Sequence, residues 1–312
     1  MENKPLLTII TPVYNGENYI YETIESVLKA KIDVSYEYIV LNDGSSDSTA
    51  SILNSYHDSI RIFSHSNIGE PATVNRGLKH ARGDFILIVN ADDPLLTGDL
   101  INKACKILIN DSSIVAIYPD WKIINQFGAT VKVKILPEYS DEILIGHCKC
   151  LPGPGTLFRR DVALNIGGRR EVWKYVSDYD FWLRLGRLGK IVRLPGIFAQ
   201  WRENPDSTSI SSRGNDMASE RIEVTKVFLS ENKLPKSLRR MALGNCHYLA
   251  ARLAFFDPKI KARSLLIRAF RYRLGWPEEA KLYVVLYLLL MPLSSIILKP
   301  FSKRITTTIS YK

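Results

Sequence analysis

Phe85-Ile86-Leu87-Ile88-Val89-Asn90-Ala91-Asp92-Asp93 runs from five uninterrupted apolar residues into an amide and two adjacent carboxylates. An apolar run without alternation predicts a strand covered on both faces, as in a parallel sheet flanked by helices. In such sheets ligands sit beyond the carboxyl ends of the strands, where this polar cluster falls. Neighbouring carboxylates repel and need a counter-charge. A divalent cation that also holds phosphate oxygens supplies one. A helix cap, with Asp93-Pro94 opening the next helix, is the plain alternative.

The pattern repeats upstream. Leu6 to Thr11 is apolar and β-branched and reaches Pro12-Val13-Tyr14-Asn15. Glu17 to Ala30 carries Ile20, Ile24, Val27 and Leu28 at helical spacing. Tyr36 to Leu41 is a second apolar run, ending at the turn Asn42-Asp43-Gly44. Ser48 to Tyr56 reads as a short helix, Ile60 to Ser64 as a strand, and Pro71 to Arg82 as a helix with proline in its first turn. Asp99 to Ile109 is helical, and Ile114 to Tyr118 is a further strand. Strands alternating with helices predict an α/β fold with a mostly parallel sheet. Downstream, Trp121 to Lys134 reads as a hairpin, Gly153-Pro154-Gly155 as a turn before Thr156 to Phe158, Asp178 to Leu188 as a helix, and Ile191 to Trp201 as a strand. Glu203 to Asn215 is rich in Ser, Asn, Pro and Gly and reads as a loop or linker. Ala218 to Leu229, Ser237 to Phe256 and Ile260 to Leu274 read as helices. Two regions are therefore expected, an α/β one over 1–214 and a basic helical one over 215–312.

The chain has 312 residues, 46% hydrophobic and 24% charged, which is ordinary globular usage. The net charge of +10 is uneven. Residues 231–312 hold 16 Lys/Arg and 4 Asp/Glu, a net +12, and the remainder carries −2. A basic stretch suits a polyanion or a solvated face. No zinc-finger, RRM-like or homeodomain-like signature is present, so nucleic acid is not an expected partner. Anionic lipid headgroups are the other candidate. The same region holds the uncharged run Leu282 to Leu298, flanked by Lys281 on one side and Lys299, Lys303 and Arg304 on the other. It is short for a bilayer span and is interrupted by Pro292. Basic flanks on both sides suit a segment lying in the membrane interface; a buried helix is the plain alternative. Met1 to Pro5 shows no secretory pattern. Cys105, Cys148, Cys150 and Cys246 lack zinc or disulfide spacing, and reduced thiols are expected.

Other residues admit two readings. Asp43, in Asn42-Asp43-Gly44-Ser45-Ser46-Asp47, is a turn residue or an acceptor for a pyrimidine imide or a ribose. Asp178, in Asp178-Tyr179-Asp180, is a helix-terminus carboxylate or a general base. The five histidines show no metal spacing, and the fingerprints G-x-G-x-x-G, P-loop and G-x-S-x-G are missing.

The ordered set is more specific than its parts. Thr11 to Asn15, Asn42 to Asp47, Asn67-Ile68-Gly69, Asn75-Arg76-Gly77-Leu78, Ala81 to Asp84, Asn90 to Asp93, Gly153 to Arg160, Asp178 to Arg184 and Trp201-Arg202 occur in one sequence. Together they resemble the family 2 glycosyltransferases, over about residues 5–214. The resemblance implies a GT-A fold: a Rossmann-like nucleotide-binding half and an acceptor half, followed here by an all-α extension. It implies an inverting transfer from a nucleotide-diphosphate sugar, a UDP-sugar first, to a hydroxyl of a glycan or lipid-linked acceptor. Pro12, Tyr14, Asn15, Asp43, Asn75, Ala91, Asp92 and Asp93 would bind the donor, Asp43 through its base. Asp92 would coordinate Mn²⁺ or Mg²⁺ on the diphosphate, and Asp178 would be the base. Gly153, Gly155, Thr156 and Trp182 would shape the donor-sugar and acceptor cleft.

Three positions depart from the family pattern. Asn90 stands where an Asp-x-Asp motif has its first Asp, Ser177 where many members have Glu, and Asn204 where many have His. The Gln-x-x-Arg-Trp motif of processive synthases is missing, which points to transfer of a single sugar. The expected setting is the cytoplasm, peripheral on the inner membrane face. Two rival readings stay open at this point. A nucleotidyltransferase would want a glycine-rich basic loop after the first strand, where Asn15-Gly16-Glu17-Asn18 stands. A non-catalytic sugar-nucleotide-binding protein would bind donor without turnover.

Overall fold

The structure, a computed structural model, describes residues 4–203, 214–253 and 262–272. Four strands, β1 (Leu7–Val13), β2 (Tyr36–Asp43), β3 (Arg61–His65) and β4 (Phe85–Ile88), are parallel neighbours. Between them run α1 (Ile20–Lys29), α2 (Thr49–Asn54) and α3 (Glu70–His80). Then come α4 (Asp99–Asn110), β5 (Ile114–Ile124), β6 (Thr130–Lys134), a π-helical turn (Glu142–Gly146), β7 (Leu157–Arg159), α5 (Arg160–Asn165), α6 (Ser177–Leu185) and β8 (Lys190–Arg202). The order across the sheet is β3-β2-β1-β4-β7-β5-β6, and β8 pairs with β5. Helices α7 (Gly214–Glu231), α8 (Lys236–Leu253) and α9 (Ala262–Tyr272) follow.

The strand runs are apolar throughout because both faces are covered. Successive side chains point to opposite faces. Leu7, Ile9, Val40 and Leu87 meet Ile20, Ile24 and Val27 of α1 and Ile101 and Leu108 of α4. Ile10, Ile39, Leu41 and Ile86 meet Val74 and Leu78 of α3 and Phe181 and Leu185 of α6. Each such fully buried side chain contributes about 1.5–3 kcal/mol of hydrophobic stabilisation. Gly83 lets the chain turn closely into β4, since a Cβ there would lie 2.6 Å from the Leu7 carbonyl carbon.

The sheet is less uniformly parallel than the repeating pattern suggests. The three-residue β7 inserts antiparallel between β4 and β5, and β6 is the antiparallel partner of the expected hairpin. β5 runs on to Ile124, beyond the expected Tyr118, parallel to β8 with register shifts beside Pro119 and Asp120. Buried Asp120 accepts hydrogen bonds from Arg193, Leu136 N–H and Gly196 N–H there, which fills the gap in the ladder.

Helices α7 and α8 share a core with the catalytic half. Val224, Phe228, Ala242 and Cys246 pack with Leu144, Val176, Tyr179 and Leu183. All four cysteines are free thiols. The run Leu282–Leu298, with its basic flanks, and Asn204 lie outside the described residues. Among the described helices none is long and apolar enough to cross a membrane.

Candidate active site

Because β1, β2 and β4 are parallel, their carboxyl ends open on one edge, and their polar sequels meet there. Pro12, Tyr14, Asn15, Asp43, Ala91, Asp92 and Asp93 line one cleft of about 990 Å³. The N-terminal turn of α3, Trp201 near the end of β8, and Ser177 and Asp178 at the start of α6 complete its wall. Carboxylates 43, 92 and 178, far apart in the chain, thus face one space.

Much of the polar sequence after β1 and β2 builds this edge. Asn15, with φ 49°, adopts a left-handed conformation that asparagine tolerates. Its Oδ1 accepts from Ser46 N–H (2.8 Å), and its own N–H donates to Ser45 Oγ (3.0 Å). Glu17 N–H donates to the Asp47 carboxylate, and Ser48 N–H donates to the Glu17 carboxylate, across the same two loops. Tyr14 is left 55% exposed, its ring free for a ligand. Asp43 is buried, and its oxygens accept from Ile68 N–H (2.7 Å) and Gly69 N–H (3.0 Å). It therefore fixes the loop into α3; Oδ1 also lies 3.3 Å from the buried His65 Nδ1, and Oδ2 keeps a second lone pair.

The pair after β4 is the electrostatic centre. Burial pushes the Asp92 carboxyl up, against the pull of Arg202. Burial, then the charge of Asp92, pushes Asp93 well above the usual carboxylate range. Asp93 accepts from Arg202 N–H and Asn90 Nδ2, both at 2.8 Å. Arg202, 1% exposed, ties the segment down by donating to the Asp92 carbonyl (2.9 Å) and Glu22 (2.6 Å). Asn90 thus serves Asp93. Among the described residues no cluster of three His, Cys, Asp or Glu side chains could cage a metal ion. Asp92 alone fits an ion that takes its other oxygens from a diphosphate and water, the habit of hard divalent cations in phosphate sites.

Asp178 lies exposed in the first turn of α6, where, among the described residues, its Oδ1 accepts the neighbouring Tyr179 N–H alone (2.7 Å). Its companion Asp180 is fully buried and holds Arg184 (2.8 Å), which donates to the carbonyls of Ile166 and Gly168 (both 2.7 Å). The two acids of one motif thus divide into an accessible group and a brace.

Five expected site residues do not reach the cleft wall. Asn75 is buried and clamps Arg169 on both sides, Nδ2 to its carbonyl (2.8 Å) and Oδ1 from its N–H (2.7 Å). It positions cleft residues without joining them. Trp182 is 5% exposed and packs edge-on against Phe158 and Phe181, since helical spacing turns it towards the sheet. Gly155, with φ 80°, admits a close approach, but to Ala199 and Pro119, whose atoms a Cβ would meet at 2.7 and 2.9 Å. Gly153 lies under Trp121, and Thr156 Oγ1 closes their shared turn by bonding both Gly153 N–H and its carbonyl. Conversely, Glu70, Arg169, Glu171, Lys174 and Tyr175 line the cleft without having been singled out from the sequence. Glu70 opens α3, and the other four lie in the irregular segment between α5 and α6, whose destination no local pattern fixes.

The family model for glycosyl transferase family 2 matches residues 8–166. An uncharacterized glycosyltransferase of Rickettsia typhi is 31% identical over 270 residues, 82% of this chain and 80% of that one. The hyaluronan synthase of Pasteurella multocida is 28% identical over 67% of this chain but only 22% of its own length. In fold, the chain is similar to S. aureus TarS 1–349 in complex with UDP-GlcNAc, with a TM-score of 0.65 at 20% identity, covering 85% of this chain and 79% of that one. It is also similar to the mannosyltransferase PcManGT of Pyrobaculum calidifontis in complex with GDP-Man and Mn²⁺, with a TM-score of 0.56 at 17% identity, covering 96% and 89%. The fold is that of a GT-A glycosyltransferase. The chain belongs to glycosyl transferase family 2 and is a glycosyltransferase.

Proposed function

We propose that the protein transfers one sugar, with inversion, from a nucleotide-diphosphate sugar to a hydroxyl of a glycan or lipid-linked acceptor in surface polysaccharide synthesis. The single observation that carries this reading is the convergence of Asp43, Asp92 and Asp178 on one cleft. A UDP-sugar is the first donor to test, since a structural neighbour is described in complex with UDP-GlcNAc. Tyr14 and the loop held by Asp43 would receive the nucleoside. Asp92 would hold Mn²⁺ or Mg²⁺ against the diphosphate, and such an ion offsets charge on the leaving group. The Asp178 carboxylate would take the proton of the acceptor hydroxyl. The freed oxygen pair attacks the anomeric carbon from the face opposite the leaving group. The bond to the diphosphate oxygen breaks, and its electron pair departs with the nucleoside diphosphate. One displacement inverts that carbon and uses no enzyme nucleophile.

Asp178→Asn should leave donor binding within about twofold and lower transfer, or slow donor hydrolysis, by roughly 10²–10⁴-fold, the usual worth of a general base. Unchanged turnover in that variant would remove Asp178 from the mechanism. The basic region 231–312 would hold the protein against anionic lipid on the cytoplasmic face, at about 1 kcal/mol per basic residue near the surface. Full-length protein that stays in the supernatant with anionic vesicles at low salt would exclude this docking.

A further inference from the structure

Among the described residues, six carboxylate side chains and two cations, Arg169 and Lys174, line the cleft. A nucleotide-sugar diphosphate would enter that space with two further negative charges. Lys174 is exposed, whereas Arg169 is 9% exposed and braced from several sides. Asn75 clamps its backbone, and Arg184, held by Asp180, anchors the preceding carbonyl of Gly168. Gly168, with φ 69°, must be glycine, because a Cβ would fall 2.2 Å from Asn75 Oδ1.

All this bracing presents a guanidinium that is only partly used. Its Nη1 donates to Glu70 in the first turn of α3. Its Nε is buried with no hydrogen-bond partner, and Nη2 has none among the described residues. Thr73 Oγ1, one turn into α3 on the same wall, is a second buried polar atom without a partner. Buried donors left unpaired are costly and point to a missing ligand. The N-terminus of α3 has no side-chain cap, so its partial positive charge adds to the same place.

Nε and Nη2 form the side-on fork of arginine, two parallel donors that match two oxygens on one phosphorus or carbon. Building on the donor-binding function proposed above, we infer that Arg169 is an oxyanion-binding residue of the donor pocket. The oxyanion is either the diphosphate or a carboxylate carried by the sugar. Glu70 holds the other edge of the guanidinium and aims the fork. This arrangement supplies a fixed cation where Asp92 is the one carboxylate suited to hold an ion.

The test is calorimetric titration of the full-length protein with Mn²⁺-pyrophosphate, UDP, GDP, UDP-glucose and UDP-glucuronate, for wild type, Arg169→Met and Arg169→Lys. A loss of tenfold or more in Arg169→Met for every ligand that binds wild type, pyrophosphate included, assigns the fork to the diphosphate. The same loss confined to UDP-glucuronate assigns it to a sugar carboxylate. Affinities within twofold of wild type throughout would overturn the inference, as would a change only in the preference between UDP and GDP. Arg169→Lys keeps the charge and loses the fork; a fivefold or greater loss is expected. It decides the matter if Arg169→Met fails to fold, and wild-type behaviour of the lysine variant overturns the fork. Wild-type protein that binds none of the five ligands would instead sink the proposed function itself, and the inference with it.

Discussion

Replacing Asp92 with Asn should make the ligand-free protein more stable while abolishing its response to Mn²⁺. The Asp92 carboxyl is pushed up by burial, and that of Asp93 by burial and by the charge of Asp92. Two full charges about 4 Å apart, at an effective dielectric of about 20, repel by roughly 4 kcal/mol, and by less when farther apart. Partial protonation of the pair relieves part of this, leaving about 1–2 kcal/mol for the substitution to recover. For a chain of this size each kcal/mol moves the melting temperature by about 2–4 °C, so a rise of about 2–8 °C is expected. The sign follows from linkage. Both folded-state carboxyls titrate above their ordinary value of 3.8, so the folded state binds more protons than the unfolded one. That contribution is fully present below the ordinary value and is lost as pH rises through the folded-state values. The advantage of the variant should therefore be absent at the acid end and grow towards neutrality. The assay is thermal unfolding from acid to neutral pH, with and without Mn²⁺ and UDP. Wild type should gain stability from the two together by mass action, and Asp92→Asn should not. A variant less stable than wild type at neutral pH, or an advantage independent of pH, would refute the reasoning.

Glu37→Gln should destabilise the protein at neutral pH by about 1–2 kcal/mol, read from urea midpoints, because the buried carboxylate joins Thr8, Arg61 and Arg82 while both arginines are partly exposed. Burial pushes this carboxyl up, but its hydrogen bonds outweigh that and hold it below 4.5. Its contribution is thus present above that value and lost as pH falls, so the difference between Glu and Gln should shrink in acid. Trp182→Ala should cost about 3–5 kcal/mol of stability, as for a large core side chain. A stable Trp182→Ala protein with a raised KM for donor or acceptor would return that residue to the cleft.

Parallel strands, helices and the polar sequel of each strand were legible because both signals are local. An apolar run marks a strand covered on two faces, and its last residues fall at the carboxyl edge wherever it pairs. Asp43 and Asp92 fall at such an edge, whereas Asp178 opens α6; all three were singled out by the ordered set of motifs that resembles family 2 glycosyltransferases, not by local pattern alone. Asn75 and Trp182 could not be placed rightly, because helix spacing says which residues share a side but not what that side meets. Gly155 shows the same limit: a glycine reports a close approach without reporting to what, and the approach is to β5 and β8.

The sequence by itself determined the elements, the class of fold and the family, and it held the motifs whose carboxylates line the cleft, since each is written in neighbours along the chain. Only the tertiary structure decided which polar groups are spent on the protein and which remain for a ligand. Asp180, Asn75 and Arg184 are consumed in bracing, whereas Asp178 stays open and one edge of Arg169 goes unpaired. Whether a donor or acceptor is satisfied depends on partners far along the chain, 94 residues away for Asn75 and Arg169 and 180 for Glu22 and Arg202, and no local pattern carries that information.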